Sequence, residues 1–460
     1  MEKNRYSINS SKMKRVGLFM VLSLLLWTCK DDDPKLDLSQ KISFLWDVND
    51  NGHGFVKYYA VVSDTSGNIL EWTEIEDNKL VELGYPPDPN LVTLTIIRTS
   101  SDHSSHPFTY VDIMSFTGGA GKQYNHTDPP YIAPDPADGY FKFSISNTQG
   151  FSWVYNYMGG DYTYENYEEK DDVYTWTYGL YDDKSANTLV LAKLPYPNDK
   201  EMRYKYIEDL QAGDSIGVSP EIAEDYEIMD MHVLDYPEHQ NMGSTWASIY
   251  GIENASYGAQ LDFSYFTNSQ VPKLSYNEFP VLFDHYRTEV SSSNNEGSYY
   301  MRHWSPTPNV SFQTLNASID KITEASTKRI AVSASGDGDV VMGDLGFGVT
   351  DQYSVSYYFY TPVGPKVRMT LPQFSQDLIQ EIPLLEDIGE RSFEHIYIDE
   401  YNMPYQDFFN ARMTDNIFYY PIEMRSNGFS TGADNGRKTI DPLRIARVHS
   451  KEPIPNNDSR

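Results

Sequence analysis

The sequence predicts an all-β protein of two or three antiparallel β-sandwich domains, Ig-like or jelly-roll-like, with little helix. Runs rich in β-branched and aromatic residues recur roughly every ten to fifteen residues, the spacing of a sandwich. Turn signals such as Asp50-Asn51-Gly52 and Thr65-Ser66-Gly67-Asn68 separate them. Aromatic residues make up 14 % of the 460 residues, with 37 Tyr, which is too much apolar surface for a chain that stays unfolded.

The first expected strands are Ile42 to Trp46, Phe55 to Val62, Ile69 to Ile75, Leu91 to Arg98 and Tyr110 to Phe116, forming an N-terminal β-sandwich over 41–127. Between Thr127 and Asp138 stand Pro129, Pro130, Pro134 and Pro136, which cannot donate to a ladder and mark a boundary. Strands resume at Tyr140 to Ile145, Phe151 to Tyr157, Val173 to Tyr178 and Thr188 to Leu194, in an aromatic-rich β domain over 139–240. Pro237, Asn241 and Gly243 interrupt the pattern before a C-terminal β domain over 241–450, with strands at Arg329 to Ala334, Val355 to Tyr360 and Lys366 to Leu371. One helix is expected, with Ser375 as N-cap, Leu378, Ile379 and Ile382 at helical spacing, and Pro383 ending it. No fixed-period repeat is present, which disfavours propellers and solenoids.

Lys and Arg number 36 against 66 Asp and Glu, a formal charge of −30. That balance argues against nucleic acid as a partner. The single cysteine, Cys29, excludes internal disulfides and Cys-based zinc sites. Residues 1–28 have the layout of a signal peptide: Lys12, Lys14 and Arg15 precede the apolar run Val16 to Trp27, which is shorter than the roughly twenty residues of a spanning helix.

Leu26-Trp27-Thr28-Cys29 resembles the lipobox of bacterial lipoproteins, in which the Cys thiol receives a diacylglycerol. Lys30-Asp31-Asp32-Asp33 resembles the acidic export signal of surface lipoproteins in Gram-negative glycan degraders. These resemblances imply that Cys29 is the lipidation site and that residues 29–40 are lipidated Cys and tether. They also place the protein on the outer membrane, facing the cell exterior, with acyl chains as its contact with the membrane. They cover residues 1–33 alone and imply no activity.

Phe151 to Tyr181 contains 11 aromatics in 31 residues. Phe151, Trp153, Tyr155 and Tyr157 alternate at period two, as do Tyr174, Trp176 and Tyr178, so each set shares one face of its strand. Two adjacent strands of this kind would form an aromatic wall. Such a wall is either the inner face of a sandwich core or a platform for sugar rings, and Trp153, Tyr155, Tyr157, Trp176 and Tyr178 are the candidate ligand-binding residues.

Other motifs are weaker. Gly213-Asp214-Ser215-Ile216 resembles the nucleophile block of GDSL-type esterases, which would make Ser215 a nucleophile, but no Asp-x-x-His follows it, and a turn explains the same residues. No catalytic residue is assigned. Gly118-Gly119-Ala120-Gly121-Lys122 lacks the first Gly and the final Ser or Thr of a phosphate loop. Asp47, Asn49 and Asn51 with Gly52 match the first half of a calcium loop, although Tyr58 stands where its bidentate Glu belongs, and a hairpin turn is the alternative. Gly336-Asp337-Gly338-Asp339 with Gly343-Asp344 echoes a calcium repeat but occurs once, and His103 and His106 need a third ligand to hold a metal. The sequence thus reads as a non-catalytic, lipid-anchored cell-surface binding protein that captures polysaccharide or another polymer, with calcium the sole cofactor considered. The alternative is a scaffold or adhesin subunit of an outer-membrane protein complex, and a Ser hydrolase ranks third.

Overall fold

The strand Val56–Asp64 is buried without a break from Tyr58 to Ser63. A strand with one wet face alternates, so unbroken burial requires layers on both sides. The computed structural model describes residues 37–430 except 48–55, 102–107, 119–122, 128–138, 152, 161, 181–185, 194–200, 223–225, 231, 236–243, 254–256, 268–272, 277–282, 284, 294–297, 307–314, 350–351, 394, 402 and 415–423. Within it, Val56–Asp64 belongs to a central sheet of twelve strands. Their spatial order is Tyr257–Thr267, Ser244–Glu253, His285–Ser293, Ser298–Ser305, Met424–Ser430, His395–Glu400, Val340–Val349, Tyr353–Pro362, Thr109–Thr117, Val92–Ser101, Val56–Asp64 and Ile69–Ile75.

Two smaller sheets cover this one. On one face, Leu80–Tyr85, Gln40–Asp47 and Gln123–Thr127 bring Leu83, Phe44 and Tyr124 against Val62, Ile96 and Phe116. On the other, Ala317–Ala325, Arg329–Gly336 and Val367–Thr370 bring Ile330, Val332 and Met369 against Val61, Ile113 and Phe359. The even and odd positions of one strand thus feed two separate cores: Ala60 and Val62 enter the first, Tyr59 and Val61 the second.

Helix α1 (Gln376–Glu381) begins as expected, with the Ser375 hydroxyl accepting from the Leu378 N–H at 3.4 Å, and it seals the second core with Leu378. Helix α2 (Tyr405–Met413) was not expected from the sequence; it follows Pro404 and buries Phe408, Phe409 and Met413 in the first core.

The fold is all-β and sandwich-type with little helix, as expected, yet not every pair is antiparallel. Tyr353–Pro362 runs parallel to Thr109–Thr117, Gln123–Thr127 to Gln40–Asp47, and Ser215–Val218 to Gly139–Ser146. A parallel pair needs a long crossover, and here the intervening chain supplies it. Strand pairing therefore crosses the expected boundaries between 41–127 and 241–450. Hydrogen bonds reinforce the joint: the Tyr405 hydroxyl reaches the carbonyls of Thr117 (2.9 Å) and Tyr360 (3.0 Å), one on each of the parallel strands. Beneath it, a buried row of hydroxyls links Thr95 to Ser115 at 2.7 Å and Ser115 to Tyr357 at 3.2 Å.

Residues 139–230 build a separate pair of four-stranded sheets. One has the order Tyr162–Lys170, Val173–Leu180, Gly139–Ser146, Ser215–Val218; the other Glu227–Asp230, Glu201–Leu210, Ala186–Lys193, Trp153–Gly160. Phe141, Phe143, Ile145 and Tyr178 from the first meet Ala186, Val190 and Leu210 from the second in a core of their own.

Candidate functional site

The hairpin Tyr162–Lys170 to Val173–Leu180 closes through Asp171 and Asp172, whose φ angles of 52° and 61° are both left-handed. Two such residues make the turn whose twist matches paired strands, and Asp tolerates the conformation better than most side chains. The turn fixes the register: Trp176 lies opposite Tyr167 on one side and Phe143 on the other, and Tyr178 lies opposite Tyr164 and Phe141. A bulge at Glu165 shifts the pairing by one residue, so that Tyr164 and Tyr167, three apart in sequence, meet residues two apart on the partner.

The result is a graded aromatic row. Tyr178 is 6 % exposed and stacks on Phe141 at 5.3 Å inside the sandwich. Trp176 is half-buried, stacked on Phe143 at 6.2 Å and touching Tyr167 at 5.6 Å. Tyr174 continues the row 6.5 Å from Trp176, and Tyr167 closes it at 39 % exposure, its hydroxyl donating to Glu169 at 3.2 Å. The opposite face of the same strand is polar, with Thr175 hydrogen-bonded to Ser144 at 3.0 Å and Thr177 opposite Lys142. The aromatic face is therefore the inner one, and its Tyr167 end emerges from the core into solvent. Offset and tilted rings at these separations hold one another in place, so the exposed end is an ordered surface.

The two aromatic strands do not lie side by side, as an aromatic wall requires. Trp153–Gly160 pairs with Ala186–Lys193 in the facing sheet, placing Trp153 opposite Lys193, Tyr155 opposite Leu191 and Tyr157 opposite Leu189. Alternation reports which residues share a face, but it carries no information about which strand becomes the neighbour. Only Val154 of the named strand has a described packing partner, the sandwich core.

The remaining motifs fall as follows. Gly213, at φ 95°, and Asp214 form the turn before Ser215–Val218; the Asp214 carboxylate accepts from the Gln211 N–H at 2.8 Å, so it is committed to that turn. Ser215 is exposed, opposite Lys142. Asp47 ends its strand and accepts from the Asn78 side chain at 3.3 Å, while Asn49 and Asn51 lie outside the described residues, as do Cys29, His103 and His106. Asp339 accepts from the Tyr401 N–H at 3.0 Å, and Asp344 is buried within its strand. Among the described residues no three His, Cys, Asp or Glu side chains gather as a metal site requires.

Sequence reasoning missed two buried polar clusters. Asp399, fully buried, accepts from the Tyr401 hydroxyl at 2.9 Å, and Arg412 of α2 donates to the Tyr360 hydroxyl at 3.1 Å beside it. Burial pushes the Asp399 carboxyl from 3.8 up to about 7, against the opposing pull of Ser426, Tyr401 and Arg412. Elsewhere in the central sheet, Glu289 takes a hydrogen bond from Arg302 at 2.9 Å with Arg287 at 3.3 Å, and the Arg287 guanidinium lies 4.3 Å over the Tyr250 ring. The one available signal was a charged residue inside an apolar strand, as in His395-Ile-Tyr-Ile-Asp.

Among the described residues no helix is long and apolar enough to cross a membrane. A comparison with protein-family models yields no match, and no curated protein matches the chain.

Proposed function

We propose that this chain is a non-catalytic binding protein of the cell surface, anchored by lipid at Cys29, that captures polysaccharide on the aromatic row Tyr167, Tyr174 and Trp176. The observation that carries the proposal is the emergence of that row from a packed core into solvent. Ring faces held by Phe143 and Phe141 are pre-ordered, so a sugar ring stacking on them incurs little ordering cost. Tyr hydroxyls and Glu169 at the same end supply hydrogen-bonding partners for sugar hydroxyls.

The test is binding of the purified chain across a glycan array, with and without calcium. Saturable binding to one polysaccharide class, weakened in Tyr167→Ala and Trp176→Ala, supports the reading. Silence across the array turns it down in favour of a scaffold whose partner is a protein.

A further inference from the structure

We infer that the solvent face of the three-stranded cover sheet Ala317–Ala325, Arg329–Gly336 and Val367–Thr370 is a second binding site, built for the acidic groups of a polysaccharide. The inference rests on the proposed polysaccharide-binding reading and adds the charge of the ligand.

The pleat sorts these strands cleanly. Ile330, Val332, Val367 and Met369 turn inward to the core, so their alternates face water. Beside Ala331, Ser333 and Thr370 those alternates include two arginines: Arg329 and Arg368 are exposed on adjacent strands, Arg329 opposite Thr370 and Arg368 opposite Ala331. Lys366 is exposed one pleat from Arg368, and Lys321 joins from the third strand, opposite Ser333.

Four cations on one small face stand out in a chain of charge −30. With 66 carboxylates available, a surface cation ordinarily finds one, as Lys57 does in Glu74 at 3.3 Å and Arg98 in Asp112 at 3.7 Å. Among the described residues, Lys321, Arg329, Lys366 and Arg368 have no ion pair and no side-chain hydrogen bond. The neighbouring Lys328 is paired with Glu390 at 2.5 Å, and the two carboxylates of the third strand accept from serine hydroxyls, Asp320 from Ser318 at 2.9 Å and Ser335 at 3.1 Å, and Glu324 from Ser326 at 3.3 Å.

The cations also border shaped space. Two hollows of about 200 Å³ and 220 Å³ share Arg329 and Arg368 as their common wall. The first lies at the seam with the N-terminal strands and is lined by Thr65, Asn90, Thr93 and Thr370; the second is lined by Lys321, Thr323, Ser333 and Lys366. Thr93 closes the seam by donating to the Thr370 carbonyl at 3.1 Å. Each hollow is smaller than the roughly 300–1,000 Å³ that encloses a drug-sized ligand. Neighbouring small hollows joined by two arginines suit successive units of an extended chain, with guanidinium groups on carboxylate or sulfate oxygens and Thr, Ser and Asn on the hydroxyls. A flat anionic membrane would use the charge and leave the hollows empty.

The test uses the full chain with dextran, dextran sulfate, polygalacturonate and phosphatidylglycerol vesicles as probes. Saturable binding of dextran sulfate or polygalacturonate is expected, and which of them binds more tightly separates sulfate from carboxylate. Affinity should fall at least about tenfold in Arg329→Ser/Arg368→Ser and by less in Arg329→Lys/Arg368→Lys, which keeps the charge and loses the planar fork. It should also drop when salt rises from about 0.1 M to about 0.5 M. Unchanged melting in both variants shows that the loss is one of contact, because both arginines are exposed. Binding of acidic polysaccharide that ignores the serine substitutions overturns the inference. So does arginine-dependent binding of vesicles without acidic polysaccharide, which gives the face to lipid headgroups. Dextran binding that depends on Trp176, with the acidic polymers silent, overturns this inference and leaves the aromatic row standing; silence of every probe overturns this inference, and the glycan array then decides the aromatic row.

Discussion

Phe116 and Trp176 both sit in stacks of aromatic rings, yet the stacks end differently. Phe116 lies 4.9 Å from Tyr360 and 5.3 Å from Phe409, with the N-terminal cover sheet and α2 closing over it. Trp176 is backed by Phe143 on one side, and on the other its row runs out to the exposed Tyr167. Identical chemistry thus gives a core in one region and a surface in the other, according to whether a further layer follows. Aromatic content alone cannot separate the two; the layer count can.

The largest effect should come from the closed stack. Phe116→Ala should destabilise the protein by about 3–5 kcal/mol in denaturant unfolding, since no neighbouring side chain can fill the space. A loss below about 1 kcal/mol would mean that the two stacks are energetically alike.

Next comes Asp399, in the same closed region. Its carboxyl value is higher folded than unfolded, so the folded state binds the proton more tightly. Its stabilising contribution is full below pH about 4 and is lost as the pH rises through about 7, an effect on the order of a few kcal/mol. Melting temperature should fall over that range, and Asp399→Asn should flatten the slope.

Tyr405→Phe removes the hydroxyl from the joint between Thr109–Thr117 and Tyr353–Pro362 and should cost about 1 kcal/mol, read in the same denaturant titration. The smallest stability change belongs to Tyr167→Ala, about 0.5 kcal/mol, because the ring has little to leave behind. If that substitution unfolds the hairpin instead, the open stack is a core after all.

Local structure was legible where periodicity speaks. The strands from Ile42 to Trp46 and from Ile69 to Ile75, and the helix after Ser375, match the expectation within a residue or two. The two-layer packing of the aromatic region was not legible, because partner choice depends on strands far away in sequence. Tyr167 escaped notice as a member of the row because the bulge at Glu165 breaks the alternation that would reveal it. Helix α2 escaped because Pro404 offers no side-chain cap to mark its start, and Phe409 and Met413 supply only a single i, i+4 pair. The basic face was invisible for a plainer reason: Lys321, Arg329, Lys366 and Arg368 come from three strands and form no run.

The parallel joint between Thr109–Thr117 and Tyr353–Pro362 sets a clock. A growing chain that has completed Thr109–Thr117 must make about 240 further residues before that strand finds its partner. Until then its hydrogen-bonding edge stays open, a template for mispairing with any other chain nearby. Such distant closure is slow, because loop entropy must be overcome before the new contacts form. The N-terminal quarter of this protein therefore depends, during its synthesis, on whatever keeps an unfinished sheet apart from its neighbours.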